Sequence, residues 1–301
     1  MRPIRFCIYQ YQQLPVDQLR ERWRRAEDLG FDVLWNVDSL RDPDVSRSPM
    51  LDGPATLAAM VEATDRIRVG SLVTSMYFRH PVLLARSAVA LDHLSGGRLE
   101  IALGVGDPSV GPEAVGVDPG SPGQRVACFR EYVDLVDRLL RQETTTFHGA
   151  CFDCVEAETI PGPVQSPRPP ITVAAHGPKM LRIAAASADA WSQWGGYDVE
   201  TEQDFLRVTS ERCRAFDEIC QEVGRDPRSI RHSLVCFPPL RPWASVDAFS
   251  ELVGTYANLG IDEFVLYWAR RWVDAPREDV IFEQVCTDVI PALRTQEAVQ
   301  P

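Results

Sequence analysis

Gly177-Pro178-Lys179-Met180 places the only lysine of the chain in a turn between an apolar run and a helical one. Proline at a first helical position has no N–H to lose, while Gly177, Lys179 and Met180 still offer theirs. A helix N-terminus with free N–H groups and an added ammonium attracts an anion such as phosphate. The plain alternative is a proline-started helix with a solvated lysine. Ala175 and His176 stand just before this turn. His176 is therefore the best placed of the five histidines for coenzyme contact or proton transfer. His80, in Arg79-His80-Pro81, reads as a packing and hydrogen-bonding element at a helix start, and His93 as structural.

Gly104-Val105-Gly106-Asp107 is the second chemical segment. A dinucleotide fingerprint needs a third glycine and an immediate helix, but position 109 is serine and Pro108 and Pro112 follow. The glycines could instead let backbone approach a flat ring, or mark a simple strand-end turn. Asp38, Asp107 and His176 are the candidate proton handlers. Trp35, Trp194 and Trp268 are candidates for pocket walls or for core. Cys151 and Cys154 form a CxxC near His148, but no second pair completes a metal set, and all eight cysteines read as buried thiols.

These positions follow strands in an alternating pattern. Strands are expected at 4–9, 33–37, 67–73, 99–103, 171–175, 190–194, 232–237 and 264–267. Helices fall between them, including 54–64, 81–94, 125–141 and 178–187, and the last runs over 277–293 with a break near Pro291. Eight strand–helix pairs predict an α/β fold, a single (β/α)8 TIM barrel occupying 1–301. Insertions are expected after strand 4 (106–124) and after helix 4 (143–170, with a hairpin around Gly149). In such a barrel the active site is built at the strand C-termini.

Composition excludes other classes. The net charge of −12 without a basic run argues against nucleic-acid and anionic-membrane partners. No apolar stretch or signal-peptide pattern points to a membrane or export, so a cytoplasmic location is expected.

Thr64-Asp65-Arg66-Ile67-Arg68-Val69-Gly70, Val73-Thr74-Ser75-Met76-Tyr77-Phe78-Arg79-His80-Pro81 and Leu91-Asp92-His93-Leu94-Ser95-Gly96-Gly97-Arg98-Leu99 form a dense run of motifs. With Gly104-Val105-Gly106-Asp107 they resemble the bacterial luciferase-like superfamily of flavin- and deazaflavin-dependent oxidoreductases. The Val-Thr-x-x-Tyr-x-Arg-His-Pro run, Gly-x-Gly-Asp and Gly-Pro-Lys-Met-Leu are similar to its branch that uses coenzyme F420. The resemblance implies hydride transfer between F420 and a small organic substrate. It also implies a bulge with a non-prolyl cis peptide at Gly70-Ser71-Leu72-Val73 under the deazaflavin ring. Coenzyme contacts are implied at Asp38, Ser71, Leu72, Val73, Thr74, Gly104, Gly106, Asp107, Ala175, His176, Gly177, Pro178, Lys179 and Met180. A homodimer is expected. One alternative is an FMN-dependent monooxygenase fed by a partner flavin reductase; another is a non-catalytic barrel subunit. Many relatives carry an acidic residue and then histidine after strand 2; here the pair is Asp38-Ser39, which counts against luciferase-type oxygen chemistry.

Overall fold

The computed structural model describes residues 2–42, 47–107, 111–268 and 276–297. Parts of the post-strand-4 insertion, 108–110, and of the stretch before the last helix, 269–275, lie outside them. Eight parallel strands close a barrel: β1 (Arg5–Tyr9), β2 (Val33–Asn36), β3 (Arg68–Ser75), β4 (Leu99–Gly104), β7 (Ile171–Ala174), β8 (Ala190–Gln193), β9 (Arg231–Val235) and β10 (Glu263–Tyr267). Their order around the barrel is β1-β10-β9-β8-β7-β4-β3-β2. β2 and β4 are buried at every residue. Lumen and helix layer cover their two faces, which is why the apolar runs do not alternate.

Helices α1 (Val16–Asp28), α2 (Gly53–Ala63), α3 (Pro81–Leu94), α4 (Pro122–Arg141), α5 (Pro178–Ser187), α6 (Glu202–Glu222) and α7 (Val246–Ala257) cover the barrel. α8 (Pro276–Gln284), a π turn (Val285–Val289) and α9 (Ile290–Glu297) complete the layer. α4 starts three residues earlier than its apolar period suggests. Ser121 and Gln124 form a capping box there, with proline in the first turn. The break in the last helix precedes Pro291. Proline cannot donate backward and crowds the carbonyl four residues earlier, so the ladder widens upstream of it.

Two side chains hold the β3 approach. The Glu27 carboxylate accepts the backbone N–H groups of Asp65, Arg66 and Ile67 at 2.9, 2.6 and 2.9 Å. Those hydrogen bonds hold its pKa below the usual carboxylate value despite some burial. Arg98 donates to the carbonyls of Val61, Thr64 and Ile67, capping the C-terminus of α2. The densest motif run therefore builds scaffold.

Charge plugs the N-terminal end of the barrel. Glu100, 4% exposed, lies 2.6 Å from both Arg5 and Arg68, and Arg5 reaches Glu263 at 3.4 Å. Only the C-terminal end is left to open on a ligand.

The segment after α4 forms a hairpin, β5 (Thr144–His148) and β6 (Asp153–Glu158). It starts at the closed end and climbs back along α4. The backbone N–H groups of Ala150 and Cys151 donate to Glu131. Cys151 forms a disulfide with Cys128 of α4. This corrects the reading of eight thiols: the CxxC partners are not paired, and Cys154 Sγ instead faces the Thr145 carbonyl at 3.7 Å. His148 bonds Asp153 at 2.6 Å. Among the described residues, no helix is long and apolar enough to cross a membrane.

Candidate active site

The lumen carries its own apolar cluster, separate from the helix-facing core. Tyr9, Trp35, Leu72, Ala102 and Val235 belong to it, with Tyr11, Val37, Val73, Trp194 and Phe237 packed on it. Ring edges meet ring faces around the mouth. Tyr9 meets Tyr11 at 5.2 Å and Phe237 at 5.5 Å, while Trp194 meets Phe237 at 6.2 Å and His176 at 5.9 Å. The result is a cup with aromatic walls over a filled barrel. Trp35 and Trp194 belong to the cup. Trp268 does not: it packs against Phe282 at 5.0 Å, under the Arg22 guanidinium.

One side of the cup is built by β3. Its pairing with β4 slips between Ser71 and Thr74, and the Leu72–Val73 peptide within that slip is cis. Ser71 Oγ donates to Asn36 Oδ1 at 2.6 Å, and Asn36 Nδ2 to the Gly53 carbonyl at 2.8 Å, tying β3 to β2 and α2. Ser71, Leu72 and Thr74 are buried. Gly104 has to be glycine: a Cβ there would stand 2.4 Å from Val73 Cγ2. Gly106 has φ +85, and a Cβ on it would stand 2.2 Å from Ser75 Oγ. The glycines thus serve close packing of β4 on the bulged β3.

Three titratable candidates stand at three strand ends, each engaged by a different partner. Asp38, after β2, is 7% exposed. Arg79 Nε lies 3.4 Å from Asp38 Oδ2, and Arg79 also contacts Asp52 at 3.4 Å. Arg79 Nη2 donates to Asp38 Oδ1 at 3.5 Å, while Arg79 Nε and Asp38 Oδ2 have no hydrogen-bond partner among the described residues. Burial pushes the Asp38 carboxyl above the usual aspartate value, and Arg79 opposes it. Asp107, after β4, accepts a 2.6 Å hydrogen bond from the Tyr197 hydroxyl. His176, after β7, accepts from the Trp194 N–H at its Nε2, 3.4 Å away. Burial, helped by the Arg212 charge, lowers the His176 pKa to about 4. The Arg212 guanidinium also donates to the Trp194 backbone carbonyl at 2.5 Å, holding the chain at that residue.

The predicted anion turn has the expected form. Gly177 is the N-cap of α5, and no side chain caps the helix there. A Cβ on Gly177 would meet no atom within 4 Å. Pro178 and Lys179 are exposed, whereas the Met180 side chain turns to the helix-facing core and leaves only its N–H at the helix start. Ala175 is buried and its carbonyl accepts from Trp191 Nε1 at 2.8 Å. His80 caps α3, accepting from Val82 N at 3.3 Å, and His93 bonds the Gly162 carbonyl at 2.9 Å; both match structural roles. Ser39 turns to the Arg41 carbonyl.

These residues fit a flat ring with an anionic tail. The apolar cup offers a face for the ring. Buried Trp35 Nε1 and Asp38 Oδ2 lack hydrogen-bond partners among the described residues, and polar ring edges would supply them. The open start of α5 suits a phosphate. Sequence reading assigned no role to Arg79, Tyr197 or Arg212. Arg79 was visible in its motif; nothing local marked the other two.

Residues 3–240 match the family model described as luciferase-like monooxygenase. The chain is 34% identical over 245 residues to the phthiodiolone/phenolphthiodiolone dimycocerosates ketoreductase of Mycobacterium tuberculosis, covering 73% of this chain and 60% of that one. It is 29% identical over 245 residues to the F420-dependent glucose-6-phosphate dehydrogenase of Intrasporangium calvum, covering 76% of this chain and 72% of that one. Its fold matches an F420-dependent secondary alcohol dehydrogenase, solved with an F420-acetone adduct, at TM-score 0.82 and 17% identity, covering 97% of this chain and 99% of that one.

Proposed function

The chain belongs to the luciferase-like monooxygenase family, and from that premise we propose an oxidoreductase that moves a hydride between coenzyme F420 and a small organic substrate. One observation carries the proposal. The apolar bulge at Leu72–Val73, the Gly104–Gly106 edge and the uncapped start of α5 all lie at the same C-terminal end of the barrel. The F420-dependent relatives support the same coenzyme.

When bound, the deazaflavin would supply or accept the hydride at C5. The protein does the rest. Ser71, Leu72, Val73 and Thr74 support the ring, with Gly104 and Gly106 at its edge. Ala175 and His176 lead to the phosphate, which Gly177, Lys179 and Met180 hold through N–H groups, Pro178 fixing the turn and Lys179 adding charge. The aromatic cup excludes water. Asp107 moves the substrate proton, with the Tyr197 hydroxyl holding the carboxylate in place. His176 is neutral near pH 7 and spends Nε2 on the Trp194 backbone N–H, so it holds the chain there. Asp38 stands buried at the ring edge beside Arg79.

The proposal treats 1–301 as one working unit, cytoplasmic and homodimeric. Exposed Leu83 and Leu94 on α3, with Val155 and Ile160 of the hairpin segment bonded to it through Arg86, support a paired face. Fluorescence titration of purified protein with F420 and with FMN tests the coenzyme. Saturable F420 binding with weak FMN binding is expected; tight FMN binding without F420 binding replaces it with the monooxygenase reading. Binding of neither leaves the non-catalytic subunit.

A further inference from the structure

A cavity of about 500 Å³ lies beside the mouth, outside the aromatic cup. Residues 76–80 after β3, residues 117–120 ahead of α4, the first two turns of α4 and the hairpin tip enclose it. The starts of α3 and α4 both border it, His80 and Ser121 being their N-caps. Helix N-termini carry partial positive charge. Arg79 and Arg125 line the same space. Arg79 is committed to Asp38 and Asp52. Arg125 donates to the Gly120 carbonyl at 2.7 Å and has no carboxylate at ion-pair distance among the described residues. Asp118, the acidic residue of the lining, accepts from the Gly120 N–H within its own loop.

An independent observation comes from Tyr77. It lines the cavity, is 8% exposed, and its hydroxyl has no hydrogen-bond partner among the described residues. A buried hydroxyl left unpaired is costly, and a ligand oxygen would satisfy it. Tyr77 also joins the cavity to the mouth. A Cβ on Gly106 would stand 3.0 Å from Tyr77 Cδ2, and Asp107 follows directly. Much of the remaining wall is apolar, including Phe78, Val117 and Phe152.

We propose that this cavity takes the anionic end of the substrate, a carboxylate on an apolar organic body, held by Arg125 and the Tyr77 hydroxyl. One guanidinium without a carboxylate partner among the described residues and one hydroxyl match a monoanion, and the apolar wall matches the body behind it. This deepens the oxidoreductase reading, on which the use of the carboxylate rests; the binding itself does not depend on it.

Calorimetry with octanoate, octanol and inorganic phosphate tests the proposal on the full chain and on R125Q, R125K and Y77F. Octanoate is expected to bind the parent at least about tenfold tighter than octanol. R125Q abolishes that preference, R125K keeps most of it, and Y77F, which preserves shape, weakens octanoate by about three- to tenfold. F420 titrations of the same proteins stay unchanged. Equal binding of octanoate and octanol overturns the proposal. So does phosphate binding as tight as octanoate, which makes this an inorganic-anion site. A loss of F420 affinity in R125Q matching the loss for octanoate assigns the cavity to the coenzyme and overturns it too. Octanoate selectivity in a protein that binds no F420 supports the proposal and overturns only the coenzyme reading.

Discussion

The Tyr197 hydroxyl donates to Asp107 at 2.6 Å, joining the end of β4 to the loop after β8 past the intervening β7. The two residues are 90 apart in the chain. The bond fixes the carboxylate that the account assigns to the substrate proton. Replacing Asp107 by Asn removes the proposed proton handler and is expected to lower kcat by about a hundredfold or more. Y197F loses only the holding bond and is expected to lower kcat about tenfold with KM nearly unchanged. Steady-state kinetics check this. A Y197F enzyme with raised KM and full kcat would make Tyr197 a substrate-binding residue instead.

Arg79 is the counter-charge to a buried carboxylate. R79Q leaves Asp38 without its cation, and the expected cost near neutral pH is about 1–3 kcal/mol. The sign with pH is definite. Burial already raises the Asp38 pKa, and loss of Arg79 raises it further, so protonation relieves the variant. Urea midpoints should show the largest gap between parent and R79Q at neutral pH and a smaller one at acid pH. A gap that grows on acidification contradicts the assignment.

Two histidines, His232 buried and His176 half-buried, set the acid limit of stability. His176 and His232 both have pKa values lowered from 6.5 to about 4, chiefly by burial. Between those values the unfolded chain binds protons that the native fold does not, so stability falls as pH drops from 6.5 toward 4. Each contributes up to about 3 kcal/mol to that loss. His232 packs against Trp191 and Phe216, and neither ring nitrogen has a hydrogen-bond partner among the described residues. H232L is therefore expected to match or exceed parent stability near neutral pH and to flatten the acid slope. Denaturant titrations across this range decide it; an unchanged slope removes His232 from the account.

The charged plug at the closed end makes a separate claim. Glu100 accepts from Arg5 and Arg68, and E100Q leaves two half-buried cations short of a buried anion. Loss of about 3 kcal/mol is expected, with F420 affinity preserved because the plug lies at the far end of the lumen. Equilibrium unfolding with a parallel F420 titration measures both.

The barrel was legible because apolar strand runs and helical periods survive in the sequence. Strand ends then named Asp38, Asp107 and His176 without any contact being known. Their partners were not legible. Arg79 reaches Asp38 across 41 residues and Tyr197 reaches Asp107 across 90, and no local pattern encodes either meeting. The CxxC spacing drew attention to Cys154. Only the climb of the hairpin along α4 brings the Cys151 Cα to 5.3 Å from that of Cys128. Glu27, far outside the densest motif run, and Arg98, within it, show that part of that run frames the approach to β3.

The coenzyme claim is tested most directly by titrating the purified chain with F420 and following quenching of coenzyme fluorescence, alongside a K179A variant and an FMN titration. Saturable F420 binding is expected, weakened about tenfold by K179A, with much weaker FMN binding. Tight FMN binding with no response to F420 would contradict it.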